Sequence, residues 1–172
     1  MGSDVEANPS PKLSDLLSAD AIWIGADAPD WRAAVRASGD RLVLSGATLD
    51  AYTDEMIAAV EELGPYMVIA PGIALAHSRP SPAVLRAGVS VVTLSHSVPF
   101  GHRQNDPVRL VVGLAAPDEE GHVTALSTLA EFLADATRLE ALIGAGSPDE
   151  VQDMVRSFEK ERTAERTEGT TH

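Results

Sequence analysis

The spacing of apolar residues changes twice along this chain of 172 residues. Apolar positions recur with helical spacing up to Leu63, form short β-type runs between Tyr66 and Ala115, and return to helical spacing from about His122. One short strand precedes the first helical segment. This order predicts a single-domain α/β sandwich in which helices flank a mixed β-sheet, rather than a regular alternation of strand and helix.

Capping and turn residues give these elements their predicted boundaries. A strand at 21–24 precedes a helix for which Asp27 is the expected N-cap and Gly39 a point of interruption. A second helix over 48–63 ends at Gly64. The other predicted elements are strands at 66–70, 73–75, 87–94 and 108–115, helices from about 122 to 136 and at 137–143, and a helix opened by Ser147, Pro148 and Glu150 as a capping box.

Both ends of the chain are poor in apolar residues. We expect a flexible N-terminus over residues 1–10, a folded domain over 11–158 and a polar tail over 159–172. No apolar run approaches the roughly 20 residues of a membrane helix. The N-terminus also lacks the basic and apolar regions of a secretory signal, so we expect a soluble cytoplasmic protein.

The amino-acid composition excludes some kinds of functional site and disfavours some kinds of partner. The chain has no cysteine, which excludes disulfides, thiolate metal sites and a cysteine nucleophile. Its formal charge of −13 disfavours nucleic acid and anionic lipid as partners. Residues 65–107 differ from the rest, because they contain one acid, Asp106, against three arginines. An anionic group is best tolerated there, although strands that simply carry few charges explain the same bias.

One histidine lies where an apolar strand is predicted to end. His77 precedes a polar turn with Ser78 and Arg79, so its ring should emerge where a partner can reach it. A neutral imidazole can attack phosphorus through one nitrogen while the other keeps its proton. An ordinary strand-end histidine fits this segment equally well, so these residues alone leave both interpretations open.

Two further segments offer polar side chains. A loop between predicted strands contains His102, Asn105 and Asp106, which could orient an imidazole or steady a phosphoryl oxygen. His122 precedes an apolar helix, where unpaired backbone N–H groups and the helix dipole favour an anion. Ordinary turn and cap residues account for both segments at least as well.

Together these segments resemble ascorbate-type enzyme IIA proteins of the bacterial sugar phosphotransferase system, within the mannitol/fructose superfamily. The resemblance covers roughly residues 12–158 and rests on GPYMVIAPGIALAHSRP, PFGHRQNDPV, and a histidine between GLAA and a Leu-rich helix. It implies the type-2 enzyme IIA fold. Family members commonly carry proline and alanine or glycine where Ala76 and Ser78 stand, and the mannitol branch carries an arginine where Ala59 stands.

The resemblance implies a phosphotransferase that needs no cofactor. His77 would accept a phosphoryl group from the phosphocarrier HPr and pass it to a cysteine of a cognate enzyme IIB, for uptake of ascorbate or a related carbohydrate. His122 would stabilise the phosphoryl group. The implied supporting residues are His102, Asn105, Asp106, Arg79 and Ser78. No direct membrane insertion is implied; association with a membrane IIC permease through IIB, and a homodimer, stay open.

Two other functions fit the same residues. A regulatory protein would bind different partners in its phosphorylated and unphosphorylated forms and move no sugar. Alternatively, His77, His102 and His122 would form a three-histidine zinc site, although short ligand spacings such as His-x-His are absent.

Overall fold

A mixed five-stranded β-sheet forms the centre of the computed structural model, which describes residues 12–169, with side chains as far as Glu165. The strands are β1 (Ile22–Ala26), β2 (Val68–Ala70), β3 (Ile73–Ala76), β4 (Gly88–Val98) and β5 (Val108–Ala115), in the order β1-β4-β5-β3-β2. β1 runs parallel to β4 and β3 parallel to β5, whereas the pairs β4/β5 and β2/β3 are antiparallel. The predicted mixed sheet is confirmed.

Helices cover both faces of this sheet. They are α1 (Leu13–Leu16), α2 (Trp31–Leu44), α3 (Asp50–Leu63), α4 (Glu119–Leu133), α5 (Ala136–Ile143) and α6 (Pro148–Gly169), with a short 3-10 turn at Ala19–Ala21. Along β3, Ala74 and Ala76 pack in one core with α2 and α3, while Ile73 and Leu75 pack in the other with α1, α4, α5 and α6. Side chains of a strand alternate between the two faces of the sheet, and helices cover both faces at β3. All four residues of β3 are therefore buried, and none of them is polar.

Two helices begin three residues from the predicted position. The carboxylate of Asp30, not Asp27, caps α2 by accepting the N–H of Ala33 at 2.9 Å. Asp27 instead lies 3.6 Å from the ring of His96. α4 begins three residues before His122, where Asp118 accepts the N–H of Gly121 at 2.6 Å. Sequence reasoning misplaced both starts because each cap lies in a polar segment with several acceptable capping residues.

The last helix runs past the residue where the polar tail was predicted to begin. Within residues 159–169 the chain is still helical, and the side chains of Glu159 and Arg162 pair with the body. Glu159 accepts the hydroxyl of Ser14 at 3.0 Å, and Arg162 lies 2.9 Å from Glu131. The division into an 11–158 domain and two ends stays a prediction, since residues 1–11 and 170–172 lie outside the described residues. Among the described helices none is long and apolar enough to cross a membrane.

Gly39 lies in the middle of α2 and does not interrupt it. The reason for glycine is the close approach of α3. A Cβ at position 39 would lie 2.2 Å from Oγ1 and 2.8 Å from Cβ of Thr53, which is buried. The glycine therefore sets the separation of α2 and α3.

We predict that Gly39→Ala destabilises the protein, although alanine is the better helix former by about 1 kcal/mol. The added methyl must push α2 away from α3, and overpacking of this kind costs about 1 to 3 kcal/mol. Thermal unfolding should show a lower midpoint for Gly39→Ala and partial recovery in the double variant with Thr53→Ala. A midpoint above that of the wild type would contradict the packing argument.

Candidate functional site

The parallel pairing of β3 with β5 places two histidines side by side. Ala76, the last residue of β3, pairs with Gly113 near the end of β5, so the chain leaves both strands at the same edge of the sheet. His77 follows β3 directly, and His122 lies in the first turns of α4, which follows β5. Their ring centroids are 5.6 Å apart, with the planes tilted by 43°.

A backbone hydrogen bond fixes the tautomer of His77. Nδ1 of its ring lies 2.8 Å from the carbonyl oxygen of Leu75. A carbonyl oxygen only accepts, so Nδ1 carries the proton and Nε2 of the neutral ring carries the lone pair. Burial lowers the pKa of His77; the bond to Leu75 opposes this shift, and the neighbouring His122 adds to it. The neutral, nucleophilic form of the ring is therefore favoured at pH 7.

His122 presents its ring to the cleft, whereas its backbone N–H is already bonded within the helix. Its N–H bonds to the carbonyl of Asp118 at 3.0 Å, and the side chain of Asp118 occupies the N–H of Gly121. The N–H groups of Gly121 and His122 are thus already bonded, so neither of these two is open to an anion. Nδ1 of His122 is buried and has no hydrogen-bond partner among the described residues.

The two rings line an open cleft of about 560 Å³. Its other lining residues are Glu55, Ala58, Ala59, Glu62, Leu63, Tyr66, Ser78, Arg79, Pro80 and Glu119. Arg79 is exposed, and its side chain makes no hydrogen bond or ion pair within the described residues. Three carboxylates face one guanidinium here, so the cleft repels a free anion more than it attracts one. An anionic group would be best received when a partner carries it in.

Tyrosine hydroxyls hold the backbone next to His77. Tyr52 accepts the N–H of Ser78 at 2.9 Å, and Tyr66 donates to the carbonyl of His77 at 2.9 Å. Sequence analysis gave neither tyrosine a role in the site. The signal that was available is that a buried tyrosine needs a partner for its hydroxyl.

Glutamates of the cleft were also missed. Glu55 and Glu62 lie on the face of α3 opposite its apolar one, and Glu119 opens α4. Glu55 accepts the hydroxyl of Ser81 at 2.8 Å, which ties α3 to the segment after His77. Helical spacing puts the two α3 carboxylates on one polar face, but it does not show that this face borders His77.

The loop with His102, Asn105 and Asp106 lies at the other end of β3. The carbonyl of Asn105 accepts the N–H of Gly72, just before β3 begins, and none of the three residues lines the cleft. The carboxylate of Asp106 accepts the N–H groups of residues 100–102, and Nδ1 of His102 accepts that of Asn105. These residues close their own loop, which corrects their predicted support of the imidazoles.

The position of His102 also argues against the three-histidine zinc site considered in the sequence analysis. His102 is separated from His77 by the length of β3, because it precedes β5 while His77 follows β3 in the parallel pair. No group of three or more potential ligands that could hold a metal ion occurs within residues 12–165.

A family model and individual known proteins that resemble this chain point to the same family. A family model described as "Phosphoenolpyruvate-dependent sugar phosphotransferase system, EIIA 2" matches residues 15–157. The ascorbate-specific PTS system EIIA component of Salmonella choleraesuis is 34% identical over 146 residues, which are 84% of this chain and 95% of that protein.

Solved structures show the same fold. The solution structure of the mannitol-specific cryptic phosphotransferase enzyme IIA CmtB from Escherichia coli aligns with a TM-score of 0.76 and 30% identity, over 84% of this chain and 98% of that one. The mannitol enzyme IIA of Escherichia coli, solved in complex with its phosphorylated enzyme IIB, aligns with a TM-score of 0.73 and 29% identity, over 83% and 99% of the two chains.

We predict that His122→Ala raises the pKa of His77. The substitution removes a neighbour that disfavours the protonated form of His77 electrostatically, while the bond to Leu75 is kept. An NMR titration of the ring protons measures the shift. As a control, His96→Ala removes an exposed histidine that does not line the cleft and should leave this pKa unchanged. An unchanged or lower pKa in His122→Ala would contradict the assignment.

Proposed function

The chain belongs to the EIIA 2 family of the phosphoenolpyruvate-dependent sugar phosphotransferase system, and we propose that it carries the phosphoryl group of that system on His77. One observation carries the proposal. The bond from Nδ1 to Leu75 leaves Nε2 as the nucleophilic nitrogen of a ring that lines an open cleft. A strand-end histidine with only a structural role would not need a free nitrogen in a cleft accessible to a partner.

The proposed reaction is a displacement at phosphorus. Nε2 of His77 forms an N–P bond as the N–P bond of a phosphohistidine on HPr breaks, and the donor imidazole leaves with the electron pair of that bond. In the second step a cysteine thiolate of enzyme IIB forms an S–P bond while the N–P bond to His77 breaks. The proton on Nδ1 stays on the ring in both steps, held by the carbonyl of Leu75.

Positioning and charge stabilisation supply the catalysis of such a transfer, because the phosphoryl group itself needs little covalent assistance. The ring of His122 and the guanidinium of Arg79 are groups of the cleft that can meet phosphoryl oxygens. The carboxylates of the cleft favour a phosphoryl group that arrives on a partner over free phosphate in solution.

Membership of the family supports a proposal for the partners and the carbohydrate. We propose HPr as the donor and a cognate enzyme IIB as the acceptor, both binding in turn around His77, with IIB linking the chain to a membrane permease. The structure of a mannitol enzyme IIA with phosphorylated IIB supports the second contact. The ascorbate-specific relatives support uptake of ascorbate or a related carbohydrate over a purely regulatory role.

We predict that incubation with enzyme I, HPr and phosphoenolpyruvate labels His77. The label should be acid-labile and alkali-stable, as a phosphoramidate is, which distinguishes it from phosphorylation of Ser78. His77→Ala should abolish labelling, whereas His96→Ala, the matched histidine outside the cleft, should label at the normal rate. Normal labelling of His77→Ala would refute the proposal.

We predict that His122→Ala slows transfer while His77 still becomes labelled, because one group that meets the transferring oxygens is lost and the nucleophile is kept. The loss should be on the order of 100-fold to 1,000-fold, the range found when a single stabilising donor is removed. Single-turnover rates from phospho-HPr and to IIB measure it. Unchanged rates in both directions would remove His122 from the site.

A further inference from the structure

Both tyrosines of the chain bond to one peptide group. The carbonyl of His77 and the N–H of Ser78 belong to the same peptide bond. Tyr66 donates its hydroxyl to that carbonyl, and Tyr52 accepts from that N–H, each at 2.9 Å. The peptide group that leaves the histidine is thus held from both sides by side chains of different segments.

Each tyrosine is held in place by its own surroundings. Tyr52 lies in α3, is fully buried, and donates its hydroxyl proton to the carbonyl of Leu114 at 2.8 Å. Tyr66 follows Gly64, whose φ of +85° ends α3 and turns the chain towards β2. The ring of Tyr66 meets that of His77 edge-on, with centroids 5.3 Å apart and planes at 80°.

We propose that Tyr52 and Tyr66 are positioning residues, which hold the His77–Ser78 peptide group and thereby keep the imidazole with Nδ1 on Leu75 and Nε2 free for transfer. The inference rests on the proposed function, in which His77 accepts the phosphoryl group. It concerns two residues to which neither the resemblance nor the proposed transfer step gives a role.

The directions of the bonds explain why two hydroxyls are needed. One acts on the oxygen and the other on the N–H of the same planar group, so a rotation of this peptide would break both bonds at once. The position of the His77 Cα depends on that peptide, and the ring reaches back two residues to Leu75. A shift of the peptide would therefore weaken the bond that decides which ring nitrogen carries the proton.

Both hydroxyls keep their protons at neutral pH. Burial raises the pKa of Tyr52 to about 12, and burial also raises the pKa of Tyr66. Tyr66 therefore stays a donor to His77, and Tyr52 stays a donor to Leu114 while it accepts from Ser78. We call the two hydrogen bonds that Tyr52 and Tyr66 make with the His77–Ser78 peptide group the clamp. The clamp does not depend on pH in the range where the imidazole titrates.

Tyr66→Phe is the decisive variant. It removes the hydroxyl but keeps the ring against His77, and because Tyr66 is 37% exposed the fold should remain intact. We expect phosphoryl transfer from phospho-HPr to slow about threefold to tenfold, the effect of losing one hydrogen bond. In the unphosphorylated protein, imidazole ¹H–¹⁵N spectra should show His77 changing from the Nδ1–H tautomer to a mixture of both tautomers.

Two further variants separate the hydroxyl from other effects. Tyr66→Leu loses the ring contact as well and should slow transfer more than Tyr66→Phe. Ser45→Ala removes a hydroxyl that donates to the carbonyl of Leu42 outside the cleft, and should change neither the tautomer nor the rate. Tyr52→Phe should disturb the tautomer in the same sense as Tyr66→Phe, with thermal unfolding recorded beside it because Tyr52 is buried.

The measurements distinguish the clamp from the proposed function. If wild-type His77 never becomes labelled, the carrier role fails, yet the tautomer spectra of the unphosphorylated protein still decide whether the tyrosines position the ring. A pure Nδ1–H tautomer and a wild-type transfer rate in Tyr66→Phe would overturn the clamp, even with His77 confirmed as the acceptor.

Discussion

The parallel pairing of β3 with β5 is the constraint on which the candidate site depends. Two parallel neighbours deliver the residues that follow them to the same edge of a sheet, so His77 and the start of α4 meet there although they are more than 40 positions apart in the chain. The same pairing sends the loop before β5 to the opposite edge, which is why His102 cannot join them. β3 itself is buried on both faces, and this burial anchors the strand end from which His77 emerges.

Burial at that edge also determines the chemistry of the imidazole. The desolvation that lowers the pKa of His77 keeps the ring neutral, and the carbonyl of Leu75 selects the nitrogen that keeps the proton. The carboxylates of Glu55, Glu62 and Glu119 act in another way, since they make the cleft unfavourable for free anions. A site of this kind suits a phosphoryl group that is handed over within a protein complex.

The elements of the sheet could be predicted from the sequence, because strands show as short apolar runs, and a local motif was enough to single out His77 as a candidate. Features that depend on contacts between distant parts of the chain could not be predicted in this way. Gly39 looked like a helix interruption, but its cause is Thr53 on another helix. The loop around Asp106 had suitable side chains for the site, and only the strand order shows that it lies elsewhere. Tyr52 fitted the apolar face of α3, and the sequence contains no sign that its hydroxyl would reach the peptide after His77.

A carrier that receives and delivers the same group has to use one nitrogen for both steps. In the proposed relay, donor and acceptor approach Nε2 from the same cleft, so any rearrangement of the ring between the two steps would add a barrier to each transfer. The hydrogen bonds around His77 oppose such a rearrangement, because the ring is bonded to Leu75 and the peptide behind it is bonded on both sides. The ring of His122 and the guanidinium of Arg79 lie in the same cleft, where the proposed relay needs groups that meet the phosphoryl oxygens. In that relay, a fixed strand end lets one nitrogen serve the donor and the acceptor in turn.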